Sequence, residues 1–483
     1  MTRPMEQKQD KQNLLPTIFV ILGATGDLMR RKLTPALFHL YEKGDLPPLF
    51  QVIGFSRDEL TVEGFRKMVA GIVRERVPGA DQSTIEKFVK FFAYQHGFFE
   101  EDKGYREMAS YLGRKDGEWM VCANKLFYIA ASPQFYETIF RKLASSGLTK
   151  PCSPKEGWTR VIVEKPFGKD LKTAQALDAL LGKLFKEEQI YRIDHYLGKE
   201  TVQNILAFRF SNSFLQGSWN AKAVESIKIQ LFEKEGVGNR GGFYDGIGTL
   251  RDVGQNHVLQ LLALFTMENP GAFDGSSIRR ARAQILRSLR SLKPKEIEEA
   301  TLRGQYEGYT SEKNVAPDSQ TETYFRIETF LDASRWKGVP VILESGKEMS
   351  EDRVDVIVTF RHYTPCLCPP ASGKHYQNVL YYHIQPREGI DVSFWVKKPG
   401  PEMTIEERGF SFDYKKAFEG TEFSDAYERL LLHVIRGDQT LFVSTQEIMA
   451  EWKFVDPILR AWQQNKVPLT IYKKHSSEID EST

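Results

Sequence analysis

The sequence is poor in cysteine and carries almost no net charge. Four cysteines occur among 483 residues. Cys366 and Cys368 are separated by one residue, which is not the spacing of a structural zinc site. Because a chain of this length with so few thiols needs no disulfide framework, a reducing cytosol is the expected compartment. The formal net charge of +2 gives no reason to expect a nucleic-acid partner.

Long hydrophobic runs are also missing. The longest apolar run near the middle of the chain, Leu261 to Phe265, is far shorter than the roughly 20 residues that cross a bilayer. Met1 to Asn13 is polar and has no apolar region typical of a signal peptide. We therefore expect a cytoplasmic protein without membrane contact. Residues 1–16 are expected to be a flexible tail, and 473–483 a polar tail that frays.

The chain is long enough for two domains, and its composition is that of a globular protein. Hydrophobic residues make up 41% and charged residues 27% of the sequence. Ser277 to Lys293 contains five arginines, which could suggest nucleic-acid binding. The same run has apolar residues at helical spacing, so a solvated amphipathic helix is favoured. The sequence contains no repeats and no low-complexity tracts.

The first half has the pattern of a dinucleotide-binding domain. A buried strand, Thr17 to Leu22, is followed at once by Gly23 and Gly26, then by a helix to about Glu42 and a strand from Gln51 to Phe55. Glycines at such a strand–helix junction let the backbone approach a pyrophosphate, which the helix N-terminus also attracts. The G-x-x-G spacing alone would fit a structural turn equally well.

The end of the second predicted strand indicates the cofactor. An acidic residue there would bind a ribose hydroxyl, but this chain has Ser56 and Arg57. A guanidinium suits the 2′-phosphate of NADP. Because Asp58 and Glu59 follow, NADP is favoured and dual use with NAD stays open.

Three further strands are predicted to end at the same sheet edge. They are Lys125 to Ala130, Arg160 to Val163 and about Ile190 to Ile193. The second leads into Lys165 and Pro166, where the lysine is a candidate substrate contact and the proline could fix a cis or trans backbone. Lys32, in the first helix, could face this edge too.

The third of these strands leads into a segment dense in functional groups. His195, Tyr196 and Lys199 could donate hydrogen bonds to an anion, while Asp194 could orient and support a proton acceptor. A solvated turn before a helix is the alternative. Downstream, His257 lies on an apolar helix predicted from Leu250 onward, where a histidine is usually a core residue unless a carboxylate holds one ring nitrogen. Asp194 is a candidate for that carboxylate.

The second half is predicted to form a large, mostly antiparallel sheet with helices on one face. The fold class is therefore α/β plus α+β, with a Rossmann-like domain over 17–197 and a larger domain over 198–472. Pro365 to Pro370 is predicted to be a loop. The predicted strands are Val224–Phe232, Thr323–Leu331, Val354–Phe360, Val379–Gln385 and Ile390–Val396, and the predicted helices Gly242–Met267, Ser277–Lys293 and Ala426–Ile435.

Several motifs together resemble the glucose-6-phosphate dehydrogenase family. They are GATGDLMRRKL from Gly23, EKPFG from Glu164, RIDHYLGKE from Arg192, RGGFYDGIGTLRDVGQNH from Arg240, ETYFRIETFLDASRWKGVPVILESGK from Glu322 and YERLLLHVIRGDQTLF from Tyr427. The resemblance runs from Thr17 to about Tyr472, and RIDHYLGKE is its most specific part. It implies oxidation of β-D-glucose 6-phosphate at C1 by NADP to 6-phospho-D-glucono-1,5-lactone, in the oxidative pentose phosphate pathway. It also implies a homodimer built through the large sheet, with a tetramer still possible.

The resemblance also implies roles for individual residues. His257 corresponds to the general base and Asp194 to its carboxylate partner. His195, Tyr196 and Lys199 correspond to phosphate ligands, and Lys165, Glu233, Asp252 and Lys347 to groups that bind sugar hydroxyls. The positions matching the cofactor site are Gly23, Thr25, Gly26, Asp27, Leu28, Arg57, Tyr94 and Lys165. No metal is implied, because hydride transfer from an alcohol needs a base and a positioned nicotinamide.

The chain departs from the family pattern in two places. Many members carry a basic phosphate ligand five positions beyond Lys347, where this chain has Asp352 followed by Arg353. Either Arg353 replaces that ligand or phosphate binds more weakly. The segment Tyr472 to Thr483 also lacks the aromatic and glycine-rich ending of many bacterial members.

Two further questions stay open. Lys397 and Lys398 only suggest a second NADP site. Another NADP-dependent sugar dehydrogenase and a non-catalytic nucleotide-binding protein are the alternative functions.

Overall fold

A computed structural model describes residues 15–152, 156–362 and 376–479, which form two β-sheets and the helices around them. The strands are β1 (Thr17–Leu22), β2 (Phe50–Ser56), β3 (Phe92–His96), β4 (Asn124–Ile129), β5 (Thr159–Val163), β6 (Ile190–Ile193), β7 (Val224–Phe232), β8 (Thr301–Tyr306), β9 (Tyr324–Phe330), β10 (Pro340–Gly346), β11 (Arg353–Phe360), β12 (Val379–Gln385), β13 (Gly389–Lys397), β14 (Ile405–Asp413), β15 (Phe442–Val443) and β16 (Leu469–Tyr472).

The α-helices are α1 (Thr34–Glu42), α2 (Val62–Arg76), α3 (Gln82–Phe88), α4 (Asp102–Trp119), α5 (Tyr136–Ser145), α6 (Leu171–Leu184), α7 (Glu200–Phe210), α8 (Ser213–Gln216), α9 (Gly241–Tyr244), α10 (Leu259–Thr266), α11 (Gly275–Arg287), α12 (Pro294–Ala300), α13 (Tyr414–Ala417), α14 (Ala426–Arg436) and α15 (Thr445–Gln463). Two segments are π-helical, Met29–Leu33 and Leu250–Val258. Within the described residues, no helix combines the length and the apolar character that crossing a membrane requires.

The first sheet confirms the Rossmann-like prediction. Its strand order is β15-β6-β5-β4-β1-β2-β3, and all neighbours are parallel except β15, which runs antiparallel to β6. Every residue of β1 is buried, as expected for a central strand covered by helices on both faces. Strand β15 comes from the part of the sequence assigned to the second domain. Two residues are too few to produce a periodic signal, so the sequence did not predict this strand.

The second sheet confirms the mostly antiparallel prediction. Its order is β14-β13-β12-β11-β7-β10-β9-β8-β16, with parallel pairing only between β10 and β7 and between β16 and β8. Five of these strands were predicted from the sequence, whereas β8, β10, β14 and β16 were not. The ends of β7 and β10 place Glu233 and Lys347 side by side, since Phe232 pairs with Gly346.

Several predicted helices differ from the structure. The helix expected over 242–267 is interrupted, because Gly246 and Gly248 adopt φ values of +80° and +76°, which no helix allows. The helix expected over 277–293 ends at Arg287. Helix α15 was not predicted, although Ser444 and Glu447 form a capping box at its start.

The two chain ends differ in how far they are described. Residues 1–14 and 480–483, and the predicted loop Pro365 to Pro370, lie outside the described residues. The C-terminal tail was expected to fray from residue 473, but its first part is held in place. Ser476 forms a β-bridge with Met349, and the backbone N–H of His475 donates to the carbonyl of Glu348.

Candidate active site

The carboxyl edge of the parallel sheet carries the segment that the sequence singled out. Strand β6 ends at Ile193, and Asp194 then caps a short 3-10 turn, His195–Gly198, by accepting a 3.0 Å hydrogen bond from the backbone N–H of Tyr196. Asp194 is 1% exposed. A carboxylate so deeply buried needs compensating partners, so its surroundings determine what it does.

His257 approaches Asp194 from the π-helix Leu250–Val258. The side-chain oxygen of Asn256 accepts from the backbone N–H of His257 at 2.7 Å, and its amide nitrogen donates to the carbonyl of Asp252 at 3.0 Å. Gly254 lets this helix pack closely, since a Cβ there would lie 2.9 Å from the ring of Phe325. A π-helix widens the turn, and such segments are frequent at functional sites.

His257 and Asp194 form a buried hydrogen-bonded pair. Nδ1 of His257 lies 2.5 Å from Oδ1 of Asp194, and both residues are 1% exposed. Burial lowers the pKa of His257 although Asp194 opposes the shift, so the imidazole is neutral at pH 7. Burial acts to raise the pKa of Asp194, but the contact with His257 outweighs it and holds that pKa at about 2. Nδ1 therefore donates, and Nε2 keeps its lone pair.

Lys165 lies on the opposite side of the imidazole. Its Nζ is 3.0 Å from Nε2 of His257, donates to the carbonyl of Asp252 at 2.8 Å, and lies 3.6 Å from the carboxylate of Asp252. The Lys165–Pro166 peptide bond is cis. The sequence-predicted carboxylate, imidazole and ammonium are thus brought into one line.

The three predicted phosphate ligands surround this line. The rings of Tyr196 and His257 stack with centroids 4.2 Å apart, and His195 meets His257 edge-on at 4.7 Å. Lys199 lies over the Tyr196 ring at 4.7 Å and donates to Gln385 Oε1. Burial lowers the pKa values of both His195 and Lys199, and an anion bound beside them would stabilise their charged forms. Gln385 was not predicted as a site residue.

The predicted sugar-binding residues gather on the other side of Lys165. Lys347 forms an ion pair with Glu233 across the ends of β10 and β7. Burial acts to raise the pKa of Asp252, but Lys165 and Lys347 outweigh it and lower the pKa. Two carboxylates and two ammonium groups therefore stand together, which is an arrangement suited to a ligand with several hydroxyls.

Asp352 and Arg353 contact residues other than the predicted phosphate ligands. Asp352 accepts a 2.8 Å hydrogen bond from the backbone N–H of Lys234. Arg353 lies 3.1 Å from Glu351, and its guanidinium stands over the ring of Phe232 at 5.2 Å. Arg353 precedes Val354 on β11, and Val354 pairs with Gln385 on β12. Arg353 therefore lies near Gln385, the residue to which Lys199 donates.

The predicted cofactor residues lie at the ends of β1 and β2, except Tyr94, which is on β3, and Lys165, which follows β5. Gly23 has φ +96°, and a Cβ there would lie 2.3 Å from the carbonyl oxygen of Ala130, so this close turn requires glycine. The hydroxyl of Thr25 bonds that of Ser56 at 2.7 Å. The hydroxyl of Tyr94 donates to the carbonyl of Asp58 at 2.5 Å, which orders the loop that carries the exposed Arg57. Gly26, Asp27 and Leu28 complete the turn into the first helical segment. The cradle fits a dinucleotide pyrophosphate.

A buried cluster beside Lys165 was not predicted. The carboxylate of Glu164 accepts from the hydroxyls of Tyr128 and Tyr427, the latter at 3.1 Å, and burial raises the pKa of Glu164. The Tyr427 ring stacks on His195 at 6.5 Å, and Nζ of Lys32 lies 5.6 Å from it, so Lys32 does face this edge. Glu164 and Tyr427 are 263 residues apart, so no sequence pattern could join them.

Asp194, His195 and His257 also bring three possible metal-ligating atoms within 4.8 Å of one another. The 2.5 Å separation of Nδ1 and Oδ1 is a hydrogen-bond distance, which leaves no space for an ion between those two atoms. The arrangement is therefore suited to proton transfer.

Comparison with known proteins gives consistent matches over nearly the whole chain. Residues 20–204 match the NAD binding domain of glucose-6-phosphate dehydrogenase, and residues 206–483 match its C-terminal domain. Glucose-6-phosphate 1-dehydrogenase 2 of Mycobacterium tuberculosis is 37% identical over 484 residues, covering 96% of this chain and 92% of that protein. Glucose-6-phosphate 1-dehydrogenase of Aggregatibacter actinomycetemcomitans is 40% identical over 451 residues, covering 91% and 90%.

Two solved structures are also similar. A glucose-6-phosphate dehydrogenase in complex with glucose 6-phosphate superposes with a TM-score of 0.89 at 32% identity, covering 97% of each chain. The glucose-6-phosphate 1-dehydrogenase of Mycobacterium avium gives a TM-score of 0.81 at 29% identity, covering 95% of each chain.

Proposed function

The chain belongs to the glucose-6-phosphate dehydrogenase family, and from this premise we infer that it oxidises β-D-glucose 6-phosphate at C1. The protein is an NADP-dependent oxidoreductase of carbohydrate metabolism, acting in the pentose phosphate pathway. The product is 6-phospho-D-glucono-1,5-lactone. The observation that carries the residue assignment is the line Asp194–His257–Lys165 between the two sheets.

His257 is the general base of this proposal. Its neutral Nε2 takes the proton from the C1 hydroxyl while the hydride leaves C1. Asp194 holds Nδ1–H, fixes the tautomer and stabilises the imidazolium that forms. The short Nδ1–Oδ1 contact and the burial of both groups support these roles.

Lys165 has two tasks. Its ammonium keeps His257 neutral before the reaction, since a cation 3.0 Å from Nε2 opposes protonation. The substrate hydroxyl then replaces the lysine as the partner of Nε2. Lys165 remains close enough to Asp252 to hold a neighbouring hydroxyl.

The remaining residues position the substrate. We assign the phosphate to His195, Tyr196 and Lys199, and the sugar hydroxyls to Glu233, Asp252 and Lys347. Every hydroxyl removed from water needs a partner, and this set supplies both donors and acceptors. Arg353 is the candidate for the phosphate ligand that Asp352 cannot provide.

The cofactor is assigned to the turn after β1. NADP accepts the hydride when it is bound there. Gly23 and Gly26 admit the pyrophosphate, Thr25, Asp27 and Leu28 line the turn, and Arg57 binds the 2′-phosphate. Glycine at position 23 permits this tight turn, because a Cβ there would clash with the carbonyl oxygen of Ala130.

A homodimer through the outer strands of the large sheet is the proposed assembly. Large apolar side chains are exposed on β13 and β14, including Phe394, Val396 and Phe410. A contiguous exposed apolar surface of this kind is usually covered by a partner. We also propose that the protein is cytoplasmic. Light scattering of the purified chain at micromolar concentration tests the dimer, and a monomeric mass contradicts it.

Initial-rate reduction of NADP tests the proposed reaction, with glucose 6-phosphate and, separately, free glucose as substrate. Reduction with the phosphorylated sugar alone supports both the reaction and the phosphate ligands. Equal rates with glucose would contradict the phosphate assignment and favour another NADP-dependent sugar dehydrogenase.

A further inference from the structure

A further cavity lies beside β6, and Ile190 and Arg192 of that strand line it. It is open to solvent, has a volume of about 850 Å³ and is bordered by α6, α11 and the start of α15. None of its lining residues is among those assigned to substrate, cofactor or catalysis above. Its volume lies within the roughly 300–1,000 Å³ that is usual for small-molecule sites.

The lining of this cavity is strongly basic. Five cationic side chains face two carboxylates, those of Asp178 and Glu187. The cations are Lys186, Arg192, Arg279, Arg280 and Arg287.

Both carboxylates are already used by the buried guanidiniums. Arg192 lies 2.9 Å from Asp178 and 3.0 Å from Glu187, and Arg279 contacts Glu187 as well. Arg279 is 8% exposed, and its Nε has no hydrogen-bond partner among the described residues. The acidic groups therefore neutralise the floor of the cavity and leave its rim positive.

The rim arginines have only neutral partners. Arg280 donates to the hydroxyl of Ser276 at 3.1 Å, and Arg287 donates to the amide oxygen of Gln446 at 2.5 Å. Across the part of the chain that the structure describes, neither guanidinium lies within 4 Å of a carboxylate. Asp274 interacts electrostatically with Arg280 from beyond that distance. Two guanidiniums on one helix with no carboxylate in direct contact suit bidentate binding of phosphate oxygens.

The lining is not only charged. Helix α15 begins at Thr445 in the cavity wall, where the backbone N–H of Thr445 already donates to the carboxylate of Glu187 at 3.3 Å. Phe185 and Ile190 add apolar surface beside the charges. A lining that combines cations with apolar side chains is suited to an organic anion more than to a bare ion.

We propose that this cavity binds an organic phosphate carrying at least two negative charges, as a ligand distinct from the substrate and cofactor. A nucleoside polyphosphate and a sugar bisphosphate share the required chemistry. Binding here is separate from the proposed reaction and does not depend on which residue is the general base.

Calorimetric titration of the full chain tests the proposal. Saturating NADPH and glucose 6-phosphate are present throughout the titration. Together they occupy the cofactor site and the substrate site without turnover, so a probe cannot bind there. The probes are ATP, fructose 1,6-bisphosphate and inorganic pyrophosphate. We expect at least one to bind one-to-one with a Kd below about 1 mM, which is weak on the scale of protein–ligand affinities. The probe with the lowest Kd shows whether the natural ligand is a nucleotide, a sugar phosphate or a bare polyphosphate.

Charge reversal locates the site. The double variant Arg280→Glu/Arg287→Glu is expected to weaken the binding at least tenfold, while its NADP reduction stays at the wild-type rate because neither residue touches the active site. The matched control is Lys172→Glu/Lys183→Glu, which makes the same change of net charge on the exposed side of α6 and should bind as wild type. If the reversal lowers thermal stability, Arg280→Gln/Arg287→Gln replaces it.

Three results would overturn the proposal. They are no binding of any probe at 1 mM, undiminished binding by the Arg280/Arg287 variants, and equal loss of binding in the Lys172/Lys183 control. The last result would mean that net charge, rather than this cavity, attracts the anion. Failure of the proposed dehydrogenase reaction would leave these binding results unchanged, so the two ideas fail separately.

Discussion

Nζ of Lys165 lies 3.0 Å from Nε2 of His257, on the side of the imidazole opposite Asp194. The histidine is thus held between a carboxylate that favours its protonated form and an ammonium that opposes it. Burial, the largest influence, also lowers the pKa of His257. The balance keeps the base neutral and available near pH 7.

Removing the charge of Lys165 should shift the acid limb of the pH dependence of kcat/KM to higher pH. In Lys165→Gln the pKa of His257 rises, so the base is protonated at a higher pH. The acid limb of kcat/KM then shifts to higher pH, and KM for glucose 6-phosphate increases. Lys165→Arg, which keeps the charge, should retain the wild-type limb. If the acid limb of kcat/KM in Lys165→Gln stays in place or moves to lower pH, Lys165 does not oppose the protonation of His257.

Removing the charge of Asp194 should shift the acid limb of kcat/KM to lower pH. Asp194→Asn withdraws the group that raises the pKa of His257 and that fixes its tautomer. We expect turnover to fall by roughly 10² to 10⁴, as when the carboxylate of a comparable triad is neutralised. KM for glucose 6-phosphate should stay within a few-fold, since Asp194 is not assigned to substrate. A large rise in KM with normal turnover would place Asp194 in the binding site instead.

Arg57 should distinguish the two nicotinamide cofactors. Losing a charge-assisted bond to the 2′-phosphate costs about 1.5–3 kcal/mol, which is roughly 10- to 150-fold in affinity. Arg57→Ala should therefore raise KM for NADP by that factor and leave KM for NAD almost unchanged. Arg57→Lys serves as the control that keeps a cation. Equal loss for both cofactors would mean that Arg57 does not read the 2′-phosphate.

His383, on β12 and two residues before Gln385, should make the stability of the fold depend on pH. Its Nδ1 lies 2.8 Å from Asp355 and its Nε2 3.2 Å from Asp391. The hydrogen bond to Asp355, the largest influence, and that to Asp391 raise its pKa. A raised pKa stabilises the fold fully below the unfolded value near 6.5, and this contribution is lost as pH rises through the folded pKa.

The variant His383→Gln should accordingly melt roughly 2 °C below wild type at pH 6 and match it at pH 9. Thermal unfolding followed by circular dichroism at both pH values measures this. His475→Gln, at an exposed position, is the control and should show little difference. A deficit of equal size at both pH values would show that packing, and not the ion pairs, is responsible.

The sequence was most informative where local patterns are strong. The continuous apolar runs of β1 and β2 and the glycines between them predicted the parallel sheet and its turn closely. The local pattern of residue types after β6 indicated Asp194, His195, Tyr196 and Lys199 as candidate site residues. These residues are close in sequence, so their common location required no knowledge of tertiary packing.

The sequence was less informative where pairing is distant or local signals are weak. Gln385 reaches Lys199 across 186 residues, and Tyr427 reaches Glu164 across 263. The widened turn of the π-helix has no sequence period of its own that separates it from an α-helix. Helix α15 did carry a usable signal, because Ser444 and Glu447 have the spacing of a capping box.

The role of His257 as the base is tested most directly by the variant His257→Asn. Asparagine removes the proton acceptor and leaves the phosphate and sugar ligands in place. Turnover of NADP with glucose 6-phosphate and the Kd for glucose 6-phosphate should be measured on the same preparation. We expect a loss of turnover by orders of magnitude with nearly unchanged binding. Turnover close to wild type would show that His257 does not take the proton.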